Sequence, residues 1–382
     1  MLSVLVNILL FVVVLGVLVF VHELGHYLAA KSVKATIYEF SLGYGPKIFS
    51  KEYKGILYAI RAIPLGGFVK IAGDGDPSTE QGRKERDDPN SLKKKSKIAQ
   101  AWVMCAGVIM NIFLATGIYY LVLSQSDWTA SLSADFREFN PVVGEVEYEA
   151  VENIKYDGVV DGSGAKEANI PEAGEIRSID GKDMEYSFEL GEVLEGKEEE
   201  VVEVEVCVDE ECNFYNIEVS EEGHLGVMVF SNYFVNLSYK NSKLLAGPGH
   251  LLNVLKLSYQ KISSLFSEAR ETGDYSEVAN TFTGPVGIYL VLDYFKQFGL
   301  ISVLSIVADL SLSLAIMNIL PIPALDGGRV LILIIESILK KDLDERVEAV
   351  IINISFIFLI VLIVGILIKD FLSIDSIRGM FQ

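Results

Sequence analysis

The chain has 382 residues, of which 51% are hydrophobic, and its mean hydropathy is +0.36. This composition excludes an ordinary soluble enzyme, and the formal net charge of −20 argues against nucleic-acid binding. The apolar residues are concentrated in four blocks, each long enough to cross a hydrocarbon core of about 30 Å. The blocks are residues 2–21, 98–123, 300–320 and 349–368. We therefore expect a polytopic α-helical membrane protein with four transmembrane helices.

The first apolar block leads into an H-E-x-x-H motif, His22-Glu23-Leu24-Gly25-His26. Histidines four positions apart share one face of a helix and can hold one metal ion. Glu23 lies on the same turn, where it can act as a general base toward water. Because ionisable groups in a spanning segment are costly and usually functional, we favour a zinc site over a merely polar helix end. The block lacks a basic leader and a small-residue cleavage site, which favours a retained span over a signal peptide.

The charges on the two longest polar segments have opposite balances. Residues 31–97 contain 14 lysines and arginines against 8 aspartates and glutamates, whereas residues 125–250 contain 8 against 29. Basic loops tend to stay in the cytoplasm. This asymmetry predicts that 31–97 is cytoplasmic and that the acidic segment is extracytoplasmic.

Residues 36–69 have alternating apolar residues and paired glycines, which are typical of β-hairpins. Residues 73–97 are polar, and this composition predicts a mobile linker. Residues 245–270 predict an amphipathic helix that lies along the membrane surface. In the second span, Gly107 and Asn111 share one helix face, and we interpret this pair as a helix-packing feature.

The acidic segment is expected to contain a β-rich domain at residues 140–230. Strands are predicted at 141–146, 176–179 and 225–229, and a short helix at 164–169. A hairpin is predicted from residues 201–208 and 213–219, and Cys207 and Cys212 flank its turn. In an extracytoplasmic setting a disulfide and two free thiols are equally consistent with this spacing, and a metal site is less favoured.

The third span ends in a stretch with two prolines and two glycines, residues 318–328. These residues predict unwound backbone, and a carboxylate on such backbone can turn toward a metal ion. Asp326 is therefore our candidate for the third ligand. Asp309, within the span itself, is the alternative ligand.

Two motifs together resemble the paired signatures of the site-two protease family of intramembrane zinc metalloproteases. They are His22-Glu23-x-x-His26 and Asn318-x-x-Pro-x-Pro-x-Leu-Asp326-Gly. Three further stretches resemble the bacterial branch that contains the regulator of sigma-E protease: Phe40-x-x-Gly-x-Gly, Pro64-Leu-Gly-Gly-Phe-Val-Lys, and Gly284-Pro-Val-Gly-Ile. Residues 140–230 are similar to a PDZ domain, most clearly at 176–182.

The resemblance implies a role for each matching residue. His22, His26 and Asp326 would bind Zn²⁺, and Glu23 would be the catalytic base. Asn318 would lie beside the substrate and polarise the scissile carbonyl. Gly66, Gly67 and Phe68 would belong to a membrane-associated β-hairpin that holds the unwound substrate. The chain departs from the family where relatives have Gly-Pro-x-x-Asn, because it has Gly107-Val-Ile-Met-Asn111.

The implied organisation has four parts. They are the first half of a membrane core (1–123), one extracytoplasmic PDZ-like domain (124–235), amphipathic juxtamembrane helices (236–298) and the second half of the core (299–382). The implied activity is hydrolysis of peptide bonds within or near the transmembrane helix of a single-pass substrate. The implied location is the plasma (inner) membrane, and the implied partners are that substrate and the lipid bilayer, without nucleic acid.

Two rival functions remain at this level. The first is a catalytically idle membrane scaffold that presents its PDZ-like domain to peptides, and the intact set of His22, Glu23, His26 and Asp326 argues against it. The second is a transporter with Asp309 at an ion site, but no paired broken helices occur in matching halves of the chain.

Overall fold

The computed structural model describes residues 2–73, 87–132, 138–209, 211–273 and 284–372, together with residues 275, 278 and 281. The chain forms two compact units. We call the first, formed by the described parts of 1–125 and 247–382, the core unit. The second, formed by the described parts of 126–246, is the β-rich unit.

The core unit is mainly helical, and two further short helices lie in the β-rich unit. The α-helices in the described residues are α1 (Leu2–Ser32), α2 (Lys97–Gln125), α3 (Gly164–Glu167), α4 (Glu189–Leu194), α5 (Ala246–Thr272), α6 (Pro285–Phe295), α7 (Leu300–Ile319), α8 (Asp326–Leu339) and α9 (Glu345–Leu372). Within these residues, α1, α2, α7 and α9 are the four helices long and apolar enough to cross a membrane. The sequence prediction of four such helices is therefore confirmed.

Close backbone approach joins α1 to α2 in the core unit. A β carbon at Gly25 would lie 2.3 Å from the carbonyl oxygen of Ala106, so only glycine fits at this crossing. A separate contact joins α9 to the start of α6, because the buried carboxylate of Asp370 accepts the backbone N–H of Gly287 at 3.1 Å. A carboxylate at a helix N-terminus is stabilised by the unpaired N–H groups there.

The core unit also contains one long hairpin, β1 (Ile37–Tyr53) and β2 (Ile56–Ile71). The strands are joined by Lys54 and Gly55, both with positive φ, which suits a two-residue hairpin turn. Both strands fold over, because residues 39–42 of β1 pair with residues 57–60 and also with residues 67–70 of β2. The last segment of β2 therefore forms one edge of a small sheet.

The β-rich unit contains β3 (Thr129–Leu132), β4 (Glu145–Ala150), β5 (Ile154–Val159), β6 (Ala173–Ile179), β7 (Lys182–Asp183), β8 (Val201–Val208), β9 (Glu211–Glu218), β10 (Val227–Val229) and β11 (Tyr233–Ser238). One sheet has the order β10-β5-β6-β8-β9, with β7 beside β6, and a second has the order β3-β11-β4. The core under the larger sheet includes Tyr156, Ile176 and Val204, and Leu190 and Leu194 of α4 cover it. Cys207 and Cys212 lie opposite each other on β8 and β9 and form a disulfide.

The structure corrects part of each of two sequence predictions about local structure. The strand predicted at 141–146 begins only at Glu145, because Pro141 removes a ladder donor and Gly144 has a positive φ. The predicted mobile linker is partly packed: Ser91 and Leu92 are buried, and a 3-10 helix covers Leu92–Lys94. Residues 74–86 of that linker lie outside the described residues.

Candidate active site

The centre of the site is the last third of α1, which carries the H-E-x-x-H motif. Helical geometry places the two histidine rings on one face, and their Nε2 atoms lie 3.2 Å apart. His22 is buried, with 9% of its surface exposed. Since both Nε2 atoms converge on one point inside the protein, this pair can share a metal ion.

Asp326 completes the cluster from a distant part of the chain. Its Oδ2 atom lies 3.2 Å from the Nε2 atom of His22 and 3.2 Å from that of His26. Asp326 is the first residue of α8 and not, as the sequence predicted, a residue on unwound backbone. The irregular stretch is confined to residues 320–325, and it packs so tightly on α8 that a β carbon at Gly328 would lie 2.1 Å from the carbonyl oxygen of Ile322.

The spacing of these three atoms fits a zinc ion. Ligands that surround zinc tetrahedrally at about 2.0–2.1 Å are about 3.3 Å from one another. The three observed separations are each 3.2 Å. The Oδ2 atom of Asp326 is also buried without a hydrogen-bond donor within the part of the chain that is described. Two imidazoles and a carboxylate are donors that zinc accepts, so the residues present match this metal.

Both histidine rings are held by α2. The Nδ1–H of His26 donates to the carbonyl oxygen of Val103 at 2.8 Å, which leaves its Nε2 lone pair free for a metal. The amide of Asn111 lies 3.2 Å from the Nδ1 atom of His22. Gly107 approaches the same rings, because a β carbon there would lie 2.4 Å from the Nε2 atom of His26. The packing interpretation of Gly107 and Asn111 was therefore incomplete, since both residues contact the histidines.

A cavity of about 290 Å³ opens beside the cluster. It is lined by the three cluster residues and by predicted site residues Glu23, Phe68 and Asn318. The amide of Asn318 donates one N–H to the carbonyl oxygen of Leu314 at 3.0 Å, so its second N–H remains for another acceptor. Tyr44 and Arg329 also line this cavity and were not predicted. The spacing of Arg329, three residues after Asp326 on one helix, was the signal available for it.

The hairpin reaches this cavity through the edge segment of β2. Gly67 is packed against α1, because a β carbon there would lie 2.8 Å from Cγ1 of Val19 and 3.1 Å from Cγ of Glu23. Gly66 has a φ of +99°, and a β carbon there would meet the ring of Tyr44. Phe68 stacks on that same ring, with centroids 6.2 Å apart. Gly67 therefore allows the hairpin to approach α1, and Gly66 leaves room for the ring of Tyr44 within the hairpin.

Two other metal-binding possibilities are not favoured. The carboxylate of Asp309 accepts the hydroxyl of Tyr119 at 2.6 Å and is not part of the His22 cluster. Glu205 lies near Cys207 and Cys212, but these two sulfurs are bonded to each other and cannot act as thiolate ligands.

Comparison with known proteins identifies the family. The sequence profile of peptidase family M50 matches residues 10–362. A candidate zinc metalloprotease of Fusobacterium nucleatum is 32% identical over 328 residues, with 85% of this chain and 87% of the relative covered. The regulator of sigma-W protease RasP of Bacillus subtilis is 27% identical, with 93% and 96% covered. The zinc metalloprotease RasP of Bacillus licheniformis is 26% identical, with the same coverage. The chain therefore belongs to peptidase family M50 and is a membrane-associated metalloprotease of the site-two type.

Proposed function

We propose that this protein hydrolyses a peptide bond within or near the transmembrane helix of a single-pass substrate, with zinc held by His22, His26 and Asp326. The observation that carries the proposal is the triangle of 3.2 Å separations beside a cavity that Glu23 and Asn318 also line. Zinc bound there would supply a Lewis acid and would lower the pKa of a water molecule to about 7.

Glu23 acts as the base in this proposal. It lies one residue from His22 on α1, so it faces the cavity without joining the ligand cluster. Its carboxylate takes a proton from the attacking water and returns it to the leaving amine. The second N–H of Asn318 donates to the scissile carbonyl, where negative charge develops in the transition state.

A transmembrane substrate must lose helical hydrogen bonds before it can be cut, and the edge of β2 can replace them. In the described residues, residues 67–70 pair with β1 on one side and have no strand on the other. An extended substrate segment can add there as a further strand. Phe68 and Val69 line the catalytic cavity, so a strand added at this edge lies beside Glu23. Gly66, Gly67 and Phe68 are thus proposed as substrate-binding residues.

We further propose that the β-rich unit is an extracytoplasmic PDZ-like domain that acts as a size filter or a tether. Its support is an antiparallel sheet with two short helices, together with a groove of about 600 Å³ between β10 and α4. The strong excess of acidic residues in 125–250 supports its location outside the inner membrane. One relative is named a regulator of sigma-W protease, and on this basis we propose a membrane-anchored anti-sigma factor, or a signal-peptide remnant, as the substrate.

The test of the proposed chemistry is Glu23→Gln. The amide is nearly isosteric but cannot take a proton, so cleavage of a membrane-anchored helical substrate should fall about 10²–10⁴-fold. Zinc content should stay at the wild-type level, and the uncut substrate should co-purify with the variant. Normal cleavage would show that Glu23 is not the base, and loss of zinc would show that it is a ligand.

A further inference from the structure

Asn111 is a fully buried polar residue on the helix that packs against the histidines. Its side-chain amide nitrogen lies 3.2 Å from the Nδ1 atom of His22. Its side-chain oxygen is buried and has no partner in the described parts of the chain. The hydroxyl of Ser311 donates to the backbone oxygen of Asn111 at 2.9 Å, which anchors this residue to α7.

Metal binding by His22 determines which atom of the Asn111 side-chain amide must face its ring. A histidine that binds metal through Nε2 carries its hydrogen on Nδ1, and that hydrogen requires an acceptor. An amide nitrogen cannot accept it, whereas the amide oxygen can, and a half-turn of the amide exchanges the two atoms. Among the described residues, either orientation leaves one amide atom without a partner, so the number of hydrogen bonds does not distinguish the two orientations. The metal does distinguish them, because a free Nε2 lone pair on His22 puts the ring hydrogen on Nδ1, and only the amide oxygen can accept it.

We propose that Asn111 is a positioning residue whose side-chain oxygen accepts the Nδ1–H of His22. This bond selects the tautomer of His22 that binds metal and fixes its ring toward Asp326. His26 has the equivalent arrangement, since its Nδ1–H donates to the carbonyl oxygen of Val103. The helix α2 thus supplies an oxygen acceptor to each histidine. The inference rests on the proposed zinc site.

The experiment measures the zinc dissociation constant of the purified full-length protein by competition with a chelator. Asn111→Leu keeps the volume and removes the acceptor, so zinc should bind about 10–100-fold more weakly. Asn111→Asp keeps an oxygen acceptor and should bind zinc nearly as well as the wild type. The absorption spectrum of the Co²⁺-loaded protein should be close to wild type for the aspartate variant and altered for the leucine variant.

The control is Asn7→Leu, which removes another buried amide, one that donates to Asp293 at the far end of α1. Its zinc affinity should be unchanged. If the Asn111→Leu variant does not purify as a monodisperse protein, Asn111→Ala makes the same comparison. Wild-type affinity in the leucine or alanine variant would overturn the inference. Equal losses in the aspartate and leucine variants would also overturn it, because they would indicate packing.

His22→Ala separates this inference from the proposed function. If the wild type binds zinc and His22→Ala does not, the metal site stands whatever the Asn111 variants do. If the wild type binds no zinc, the proposed function is wrong, and the proposed role of Asn111 is wrong as well.

Discussion

A β carbon at Gly107 would lie only 2.4 Å from the Nε2 atom of His26. It would also lie 2.6 Å from Cε1 of His22, so any side chain at this position displaces both rings. Real β carbons essentially never lie closer than 3.0 Å to such atoms, so α2 or the histidine rings must shift if Gly107 is replaced. The family resemblance pointed to this part of the chain, but only the structure shows why a glycine is required there.

Gly107→Ala should therefore disrupt the metal site. Overpacking of this kind costs about 1–3 kcal/mol, and displacement of the rings should lower zinc affinity at least 10-fold. The matched control is Gly117→Ala on the same helix, where a β carbon meets no atom within 4 Å. Zinc titration of both variants is the measurement. Equal zinc affinities for the two would show that the rings tolerate the added methyl group.

Gly67→Ala should give a different result. The added methyl would press on Val19 and Glu23 and push the hairpin away from α1. The proposed zinc ligands are not among its nearest neighbours. Zinc content should therefore be retained while cleavage of a membrane-anchored substrate falls about 10-fold or more. The control is Gly16→Ala on α1, where a β carbon would meet no atom within 4 Å. A loss of zinc in the Gly67 variant would show that this residue supports the metal site and not the edge of β2 that is proposed to bind the substrate.

The sequence was sufficient to predict the parts of the fold and site that depend on local pattern. Continuous apolar blocks predicted the four long helices, and helical spacing placed His22, Glu23 and His26 on one turn. It was insufficient where contacts join distant elements. The Asn111 contact with His22 spans 89 positions and leaves no periodic signal. The helical start at Asp326 was missed because two glycines follow it. The structure shows that these glycines leave room for the backbone of residues 319–323, which joins the end of α7 to the irregular stretch.

The membrane orientation gives a prediction that is independent of the chemistry. In a Cys105→Ser background, Val160→Cys should react with a membrane-impermeant maleimide in intact cells, because residues 125–250 are acidic and expected outside. Ser96→Cys, in the basic segment, should react only after permeabilisation. The native Cys207 and Cys212 are joined in a disulfide and should not contribute. Labelling of the Ser96→Cys variant and not of the Val160→Cys variant in intact cells would show that the orientation is the opposite one.

The last prediction concerns pH and the packed segment that precedes α2. The backbone N–H of Asn90 donates to Asp88 at 2.7 Å, and the hydroxyls of Tyr38 and Thr36 donate at 2.9 and 3.0 Å. The Asn90 bond is the largest cause that holds the pKa of Asp88 below its ordinary value of 3.8, and the Tyr38 and Thr36 bonds add to it. The carboxylate therefore stabilises this segment most above about pH 4, and protonation removes that stabilisation as the pH falls.

Asp88→Asn should accordingly speed amide exchange at residues 88–95 at neutral pH by about 5-fold, a loss of about 1 kcal/mol for weakened hydrogen bonds to a charged group. Because the folded state favours the ionised carboxyl, the difference between wild type and variant should shrink as the pH falls below 3.8. Hydrogen exchange followed by mass spectrometry of the full-length protein in detergent, at matched pH values from 3 to 7, makes the comparison. A difference that stays constant over this whole range would mean that the charge of Asp88 is not what holds the segment against β1.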